Sequence, residues 1–254
     1  MRKLTKILIF SILAVFLGAG SAMALPFGTD NGSSLQGVLD NITVAPNYGD
    51  SSVDVTTDYL ADNGDSSWSV TASGASVSTM IIELAGFAST NTFGIYSGSQ
   101  IVELFAGSNS EGDQVLLSIM LDGSVYVNFA DTGIDFAGNN FGYYLDSTGD
   151  PSGNGGIWHS DTSLNADGID HMLAYQGTNT DTVQLANLTP GLWTNNEYIL
   201  AFEDVYGGGD LDYEDMVIMV ESVNPVPEPA TMLLLGSGLI GLAAFGRKKF
   251  FKKS

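Results

Sequence analysis

Carboxylate side chains are most concentrated in one glycine-rich segment, residues 203–215, where six of thirteen residues are Asp or Glu. Two carboxylates about 4 Å apart repel by roughly 4 kcal/mol at an effective dielectric constant of 20. Hard oxygen ligands on a flexible loop suit calcium, which extracellular modules bind at about 0.1 to 1 mM. The segment therefore predicts a calcium site, whose expected ligands are Glu203, Asp204, Asp210, Asp212 and Asp215.

A solvated polar loop is the alternative interpretation of this segment. Asp210 and Asp212 would share one face of an extended chain, as ligands must, which favours the metal. The ligand pattern of an EF-hand is absent. A second polar cluster is a weaker candidate for a cation loop, because Asn and Asp also form ordinary turns; its members are Asp161, Asn165, Asp167, Gly168 and Asp170.

Most sequence signatures of catalysis are missing, and we predict that the chain is not an enzyme. His159 and His171 lack a Cys or Glu at transition-metal spacing, so each is predicted to be a surface or sheet residue. No G-x-S-x-G nucleophile elbow occurs. A lectin-like domain or a polysaccharide-active enzyme is the alternative, in which aromatic rings would stack on sugars; the candidates are Trp158, Trp193, Tyr143 and Tyr144.

The elements that must position these residues are short and rich in β-branched and aromatic side chains, which is typical of strands. They predict an all-β fold, either an antiparallel β-sandwich or a jelly roll, with a hairpin turn at Asp122-Gly123. The predicted strands are 77–84, 92–96, 100–106, 114–120, 124–129, 140–145, 171–175, 182–186, 197–202 and 215–221.

Domain boundaries follow from the same pattern. Residues 25–75 are expected to be a loop-rich N-terminal extension with one short helix, at 34–41, where apolar residues fall on one face. Residues 76–223 are expected to form the β-sandwich ectodomain. The chain has no cysteine, so no disulfide can hold this fold together.

All eight Lys and Arg residues lie at the two ends of the chain, and all 29 Asp and Glu residues lie between them. Without cations, the central part cannot neutralise phosphate, which disfavours nucleic acid as a partner. The first end has a basic start, an apolar run and the small residues Ala22 and Ala24, as in a cleaved signal peptide, residues 1–24. A retained membrane anchor is the alternative.

The C-terminal end has three parts in a fixed order. A linker, residues 224–229, contains Pro227-Glu228-Pro229. The uncharged segment 230–246 would span about 25 Å as a helix, near the lower limit for crossing a membrane. The basic tail, residues 247–254, begins at Arg247 and would stay in the cytoplasm, which places the acidic domain outside.

This end of the chain resembles the PEP-CTERM sorting signal, and the resemblance rests on Pro227, Glu228, Pro229, the short span and the basic end that begins at Arg247. It implies recognition by an exosortase-type enzyme in the bacterial inner membrane, removal of the tail, and delivery to the cell surface or the extracellular matrix. An ordinary C-terminal anchor is the alternative.

The ectodomain resembles an uncharacterised acidic bacterial extracellular domain. The resemblance rests on Phe202-Glu203-Asp204, the Gly-Gly-Gly-Asp that ends at Asp210, Asp212-Tyr213 and Asp215-Met216-Val217, and it extends to 35–43, 77–96 and 170–173. That family has no established activity, and its acidic hallmark implies calcium as the cofactor.

These observations together predict a non-catalytic surface or extracellular-matrix protein, exported through the bacterial envelope by way of an inner-membrane intermediate. The expected partners are a processing exosortase, the membrane through the C-terminal helix, and exopolysaccharide or other matrix components reached through calcium. Removal of both ends would leave a product without Lys or Arg and with a net charge of −29 from its 29 acids. Its charge must be balanced by cations from outside.

Overall fold

The computed structural model describes residues 27–71, 75–83 and 90–226, and residues 75–83 are described by their backbone alone. The predicted signal peptide 1–24, the predicted transmembrane helix 230–246 and the basic tail 247–254 lie outside these ranges, as do Pro227, Glu228, Pro229 and Arg247. Within the described ranges, no helix is both long and apolar enough to cross a membrane.

Short strands dominate the described chain, as the sequence predicts. The helices are α1 (Ser33–Ile42), α2 (Asp62–Asp65) and a 3-10 turn (Thr162–Leu164). The strands are β1 (Thr43–Ala45), β2 (Trp68–Val70), β3 (Ala75–Glu83), β4 (Thr92–Ser97), β5 (Gln100–Ala106), β6 (Gln114–Ile119), β7 (Ser124–Val127), β8 (Ala130–Asp135), β9 (Asn140–Asp146), β10 (Ile157–His159), β11 (Met172–Gln176), β12 (Thr182–Val183), β13 (Gly191–Leu192), β14 (Glu197–Phe202), β15 (Met216–Glu221) and β16 (Val223–Pro225).

Two large antiparallel sheets form a sandwich. The seven-stranded sheet has the order β11-β14-β15-β3-β6-β7-β8, and the six-stranded sheet has the order β16-β2-β9-β4-β5 with β10 also paired to β9. A small third sheet contains β1, β12 and β13. The all-β, antiparallel prediction is confirmed.

The main core lies between the two large sheets. The six-stranded sheet contributes Phe93 of β4 and Tyr143 of β9 to this core, and the seven-stranded sheet contributes Phe202 of β14, whose ring contacts Phe93. Successive side chains of a strand point to opposite faces, so Tyr198, Leu200 and Phe202 share this core. Their neighbours on β14 must therefore be buried by something else.

A second core covers the other face of β11, β14 and β15. Ile199 and Ala201 of β14 pack there, and Leu35 and Leu39 of α1 cover them together with Val53 and Val55. The helix predicted at 34–41 is confirmed at Ser33–Ile42. Residues from the segment predicted as an N-terminal extension thus bury the back of the seven-stranded sheet, which explains why these strands are apolar without alternation.

Two hairpin turns lie at the edge of the seven-stranded sheet, and the sequence predicts only the first of them. The turn at Asp122-Gly123 joins β6 to β7 as predicted, and Gly123 has a φ of 98°. The strand predicted to reach residue 129 ends at Val127, because Asn128 and Phe129 adopt φ values of 50° and 67° and turn the chain into β8. β8 is polar and exposed along much of its length, so no apolar pattern announces it.

The chain leaves the sandwich through β16. Ser222, with a φ of 59°, carries it from β15 in one sheet to β16 in the other. β16 pairs with β2 through Val223, Asn224 and Pro225, and the N–H of Val226 then donates to the carbonyl of Ser67 at 2.7 Å. Proline is tolerated here because β16 is an edge strand.

Candidate metal centre

The acidic segment is a compact loop between β14 and β15, two neighbouring strands whose ends meet at the pair Phe202 and Met216. The loop turns tightly because Gly207, Gly208 and Gly209 have φ values of 80°, 77° and 52°. Three successive residues in the left-handed region would strain any side chain with a Cβ. The glycines therefore allow the acidic residues on either side of them to approach one another.

Three carboxylates converge in this loop. Glu203, Asp210 and Asp212 each offer an oxygen within 4.8 Å of the others. Calcium–oxygen distances are about 2.3 to 2.6 Å, so two ligands on opposite sides of one ion are about 5 Å apart. Glu203 is buried, Asp212 is half-buried and Asp210 is exposed. The spacing of these oxygens therefore suits one calcium ion, which would reach the site from the solvent side at Asp210 and contact Glu203 on the buried side.

Glu203 has one oxygen that hydrogen-bonds and one that does not. Its Oε1 accepts from the N–H of Tyr213 at 2.8 Å. Its Oε2 is buried and has no hydrogen-bond partner among the described residues. Leaving a buried polar atom unpaired costs about 1 to 3 kcal/mol, and more for a charged group. A cation beside Oε2 would remove that cost.

The electrostatics of the loop also favour a cation. Burial raises the pKa of Glu203 to about 9, and the charges of Asp215, Asp212 and Asp210 add to the effect. Burial raises the pKa of Asp212 too, with further contributions from Asp210 and Asp30. Since residues 25–246 contain no Lys or Arg, no such side chain there offsets this repulsion.

The other two predicted ligands lie behind this group. The N–H of Asp204 donates to Oδ2 of Asp215 at 3.0 Å, and Asn91 donates to Oδ2 of Asp204 at 3.1 Å. Burial and the charge of Asp204 raise the pKa of Asp215 to about 8. The structure thus brings Glu203, Asp210 and Asp212 together, whereas Asp204 and Asp215 brace the base of the loop.

His171 supports the loop from below. Its Nδ1 lies 3.0 Å from the carbonyl oxygen of Glu203, and its Nε2 lies 2.9 Å from Oδ2 of Asp167, which also accepts from the N–H of Gly207 at 2.8 Å. The ring is fully buried and stacks on Trp158 with centroids 3.9 Å apart. The two ring nitrogens therefore lie at hydrogen-bond distance from oxygen atoms of two separate segments of the chain.

The sequence did not anticipate this arrangement. Of the two positions predicted for His171, the structure favours the sheet, since the residue is buried immediately before β11 and its carbonyl accepts from the N–H of Glu203. His159 lies in β10 and is a sheet residue, as predicted. Asn91, Asp167 and His171 are far from the loop in sequence, and only the antiparallel pairing of β11 with β14 brings His171 beside Glu203.

The second polar cluster does not converge on a common point. Asp161 accepts from the N–H of Ser163, and Asn165 bonds to backbone groups of His159 and Ile169. Asp167 contacts His171. These side chains close turns, as in the alternative interpretation of the sequence, and Oδ1 of Asp170 likewise accepts from the N–H of Met172.

The aromatic residues expected to stack on sugars are core residues. Trp158, Trp193, Tyr143 and Tyr144 are at most 2% exposed, so none of them presents a face to a ligand at the surface. Their proposed role in sugar stacking is therefore wrong. A surface cavity of about 380 Å³ lies elsewhere, near Val226, and polar groups of Ser67, Asn140 and Asp161 line it beside Tyr96.

Comparison with known families separates the chain into two matched regions. Residues 225–249 match the PEP-CTERM protein-sorting motif. This motif implies export, processing by an exosortase and sorting to the cell surface by way of the membrane. Residues 136–223 match a family described as a domain of unknown function, DUF4114, and this region contains His171 and the whole acidic loop. Comparisons with curated proteins and with solved structures found no match.

Proposed function

We propose that this chain is a non-catalytic surface or extracellular-matrix protein whose acidic β-sandwich binds calcium through Glu203, Asp210 and Asp212. The observation that carries the proposal is the convergence of these three carboxylates around a buried, unpartnered oxygen of Glu203. The sorting motif at 225–249 supports the exported location, where calcium is available at the affinity that such loops provide.

Calcium would act by stabilising the loop and the strands on both sides of it. Glu203 would bind from the buried side, Asp212 from the middle and Asp210 from the solvent side. The ion would neutralise charges that otherwise repel one another across a short distance. A ligand present at about ten times its dissociation constant stabilises the folded state by about 1.4 kcal/mol.

Calorimetric titration of the full chain, purified in detergent, tests this proposal directly. Calcium should release or absorb heat and raise the unfolding temperature, and both effects should weaken in Asp210→Asn and Asp212→Asn. Asp135→Asn is the matched control, because Asp135 is an exposed residue of β8 far along the sheet from the loop. Absence of heat and of any thermal shift at several millimolar calcium would refute the proposal.

Sorting would convert the precursor into a protein without Lys or Arg. Mass spectrometry of the membrane fraction and of the culture medium tests whether the tail is removed. We expect the released form to lack residues 247–254, and Glu228→Ala should keep the full-length mass in the membrane. An intact C-terminal mass in every fraction would contradict processing.

Calcium would also connect this anionic surface to anionic matrix components. A divalent ion can bridge carboxylates on two molecules that would otherwise repel each other. Retention of the chain on an acidic exopolysaccharide should therefore require calcium and disappear with a chelator. Retention that is equally strong in chelator would argue against bridging.

The cavity near Val226 favours a second candidate function, recognition of a neutral sugar. Ser67, Asn140 and Asp161 offer the hydroxyl, amide and carboxyl groups that bind sugar hydroxyls, and the buried ring of Tyr96 forms a rigid wall. Asn140→Ala should then reduce retention on a neutral polysaccharide in the absence of calcium. Retention without release of reducing sugar would distinguish a lectin from an enzyme.

A further inference from the structure

The N-terminal segment, residues 27–30, packs against the acidic loop. The N–H of Gly28 donates to the carbonyl oxygen of Leu211 at 2.9 Å. A Cβ at residue 28 would overlap the carbonyl oxygen of Asp210, so only glycine allows this close approach. Gly28 therefore contacts both peptide groups that join Asp210 to Asp212, and these two acids are proposed calcium ligands.

The neighbouring residue, Phe27, reaches the third proposed ligand through Tyr213. The buried ring of Phe27 packs edge-on against the ring of Tyr213, with centroids 5.6 Å apart. The N–H of Tyr213 donates to Oε1 of Glu203 at 2.8 Å, and its hydroxyl donates to the carbonyl oxygen of Asp170 at 2.8 Å. Glu203 is thus held by a residue against which the N-terminal segment packs.

The loop needs such support because two of its residues with large side chains adopt left-handed conformations. Leu211 and Tyr213 each have a φ of 57°. Bulky residues rarely adopt this conformation, which persists only where surrounding contacts hold it. Asp212 lies between them, so a change of φ at either residue would change the direction of its carboxylate. The contacts of the N-terminal segment therefore bear on the geometry of the ligands.

The other end of the N-terminal segment is fixed to α1. The two carboxylate oxygens of Asp30 accept from the N–H groups of Gly32 and Ser34, at 2.9 and 3.0 Å. α1 in turn buries Leu35 and Leu39 in the second core. The segment therefore joins the loop to a helix that is anchored on the back of the seven-stranded sheet.

We propose that Phe27 and Gly28 are positioning residues of the calcium site, so that calcium binding and docking of the N-terminal segment on the loop favour each other. The inference rests on the calcium site proposed above and adds a regulatory element to it. The coupling is reciprocal, so docking raises the affinity for calcium by the same factor by which calcium favours docking. In surroundings poor in calcium, the segment would leave the loop more often.

Calcium titration of the full chain, purified in detergent, tests the role of each residue. In Gly28→Ala the added Cβ must push the segment away from the loop, so the dissociation constant for calcium should rise about tenfold. Phe27→Ala should weaken binding in the same direction, and Phe27→Leu should recover part of the loss because leucine still fills apolar space. Gly37→Ala is the matched control and should not change the affinity, since a Cβ there, in α1, meets nothing within 4 Å.

Hydrogen exchange of the natural chain provides the reciprocal readout and needs no variant at the contact. The amide of Gly28 exchanges only when its hydrogen bond to the loop opens. Saturating calcium should therefore slow its exchange about tenfold. The slowing should be weaker in Asp210→Asn, which lacks one of the proposed ligands.

The outcomes distinguish this proposal from the calcium site on which it rests. If the natural chain binds no calcium, both are overturned. If it binds calcium, but Gly28→Ala binds with unchanged affinity, the site stands and the positioning role is refuted. If Gly28→Ala does not fold, the exchange rate of the Gly28 amide decides: a rate that calcium leaves unchanged would overturn the proposal.

Discussion

Glu203→Gln should reverse the order of stability between variant and natural protein, depending on whether calcium is present. Glutamine keeps the size of the side chain and an oxygen that can accept from the N–H of Tyr213, but it does not titrate. It also removes the negative charge that would bind the ion. Loss of the titrating group should stabilise the variant without calcium, and loss of the charge should remove its stabilisation by calcium. Both effects can be measured on the same sample.

The pH dependence without calcium follows from the raised pKa of Glu203, about 9, against an ordinary value of 4.5. Between these values the folded state holds a proton that the unfolded state has lost, so this group makes stability fall as pH rises. The slope is about 1.4 kcal/mol per pH unit, which gives about 3 kcal/mol between about pH 6 and pH 8. The variant should lack this contribution.

Thermal unfolding of both proteins in chelator and in about 10 mM calcium measures the effect. For a domain of this size, about 3 kcal/mol corresponds to roughly 6 to 12 °C. In chelator at about pH 8, the variant should be the more stable protein. In calcium, the natural protein should gain about 1.4 to 2.7 kcal/mol at a dissociation constant of 0.1 to 1 mM, and the variant should gain little.

Other buried acids, such as Asp215 and Asp170, contribute to the same slope, but they are present in both proteins. The difference between the two proteins therefore isolates Glu203. Parallel pH profiles in chelator would refute the burial argument. An equal calcium-induced shift in the variant would refute the role of Glu203 as a ligand.

Two further predictions concern the support of the loop. His171→Leu removes both contacts of the ring, while Asp167 still accepts from the N–H groups of Gly207 and Ile169. Urea unfolding should therefore show a loss of about 1 to 3 kcal/mol, and an unchanged midpoint would contradict a structural role for the ring. Gly209→Ala places a Cβ 3.1 Å from Oε2 of Glu203 at a φ of 52°, so it should weaken calcium binding as well as stability. Gly133→Ala, at a φ of 70° in open space, is the matched control and should lower stability without changing the affinity for calcium.

The strands flanking the acidic loop could be predicted from the sequence because they are apolar on both faces. The strand predicted at 197–202 has the observed bounds, and the one at 215–221 begins one residue later, at Met216. Short or polar strands such as β2, β8 and β16 carry no comparable pattern. Their positions depend on pairing with distant strands, which local composition does not encode.

The candidate site could be predicted in part for a similar reason. Glu203, Asp210 and Asp212 lie within one short loop, so the density of charge in the sequence marks them. His171 gave no such signal, because it lies 32 residues before Glu203 and becomes notable only when the pairing of β11 with β14 buries its ring against the loop. Burial of a polar group depends on the tertiary fold and is not visible in its neighbours along the chain.

The pairing of β16 with β2 also determines how a pulling force on the C-terminal side would reach the β-sandwich. Tension applied through the residues that follow Val226 first meets the hydrogen bond to Ser67 and then a ladder of three residue pairs. Pro225 has no N–H to contribute to that ladder. β16 should therefore peel away before β15 is loaded. Under such a force the edge strand β16 would detach first, and the acidic loop between β14 and β15 would remain folded.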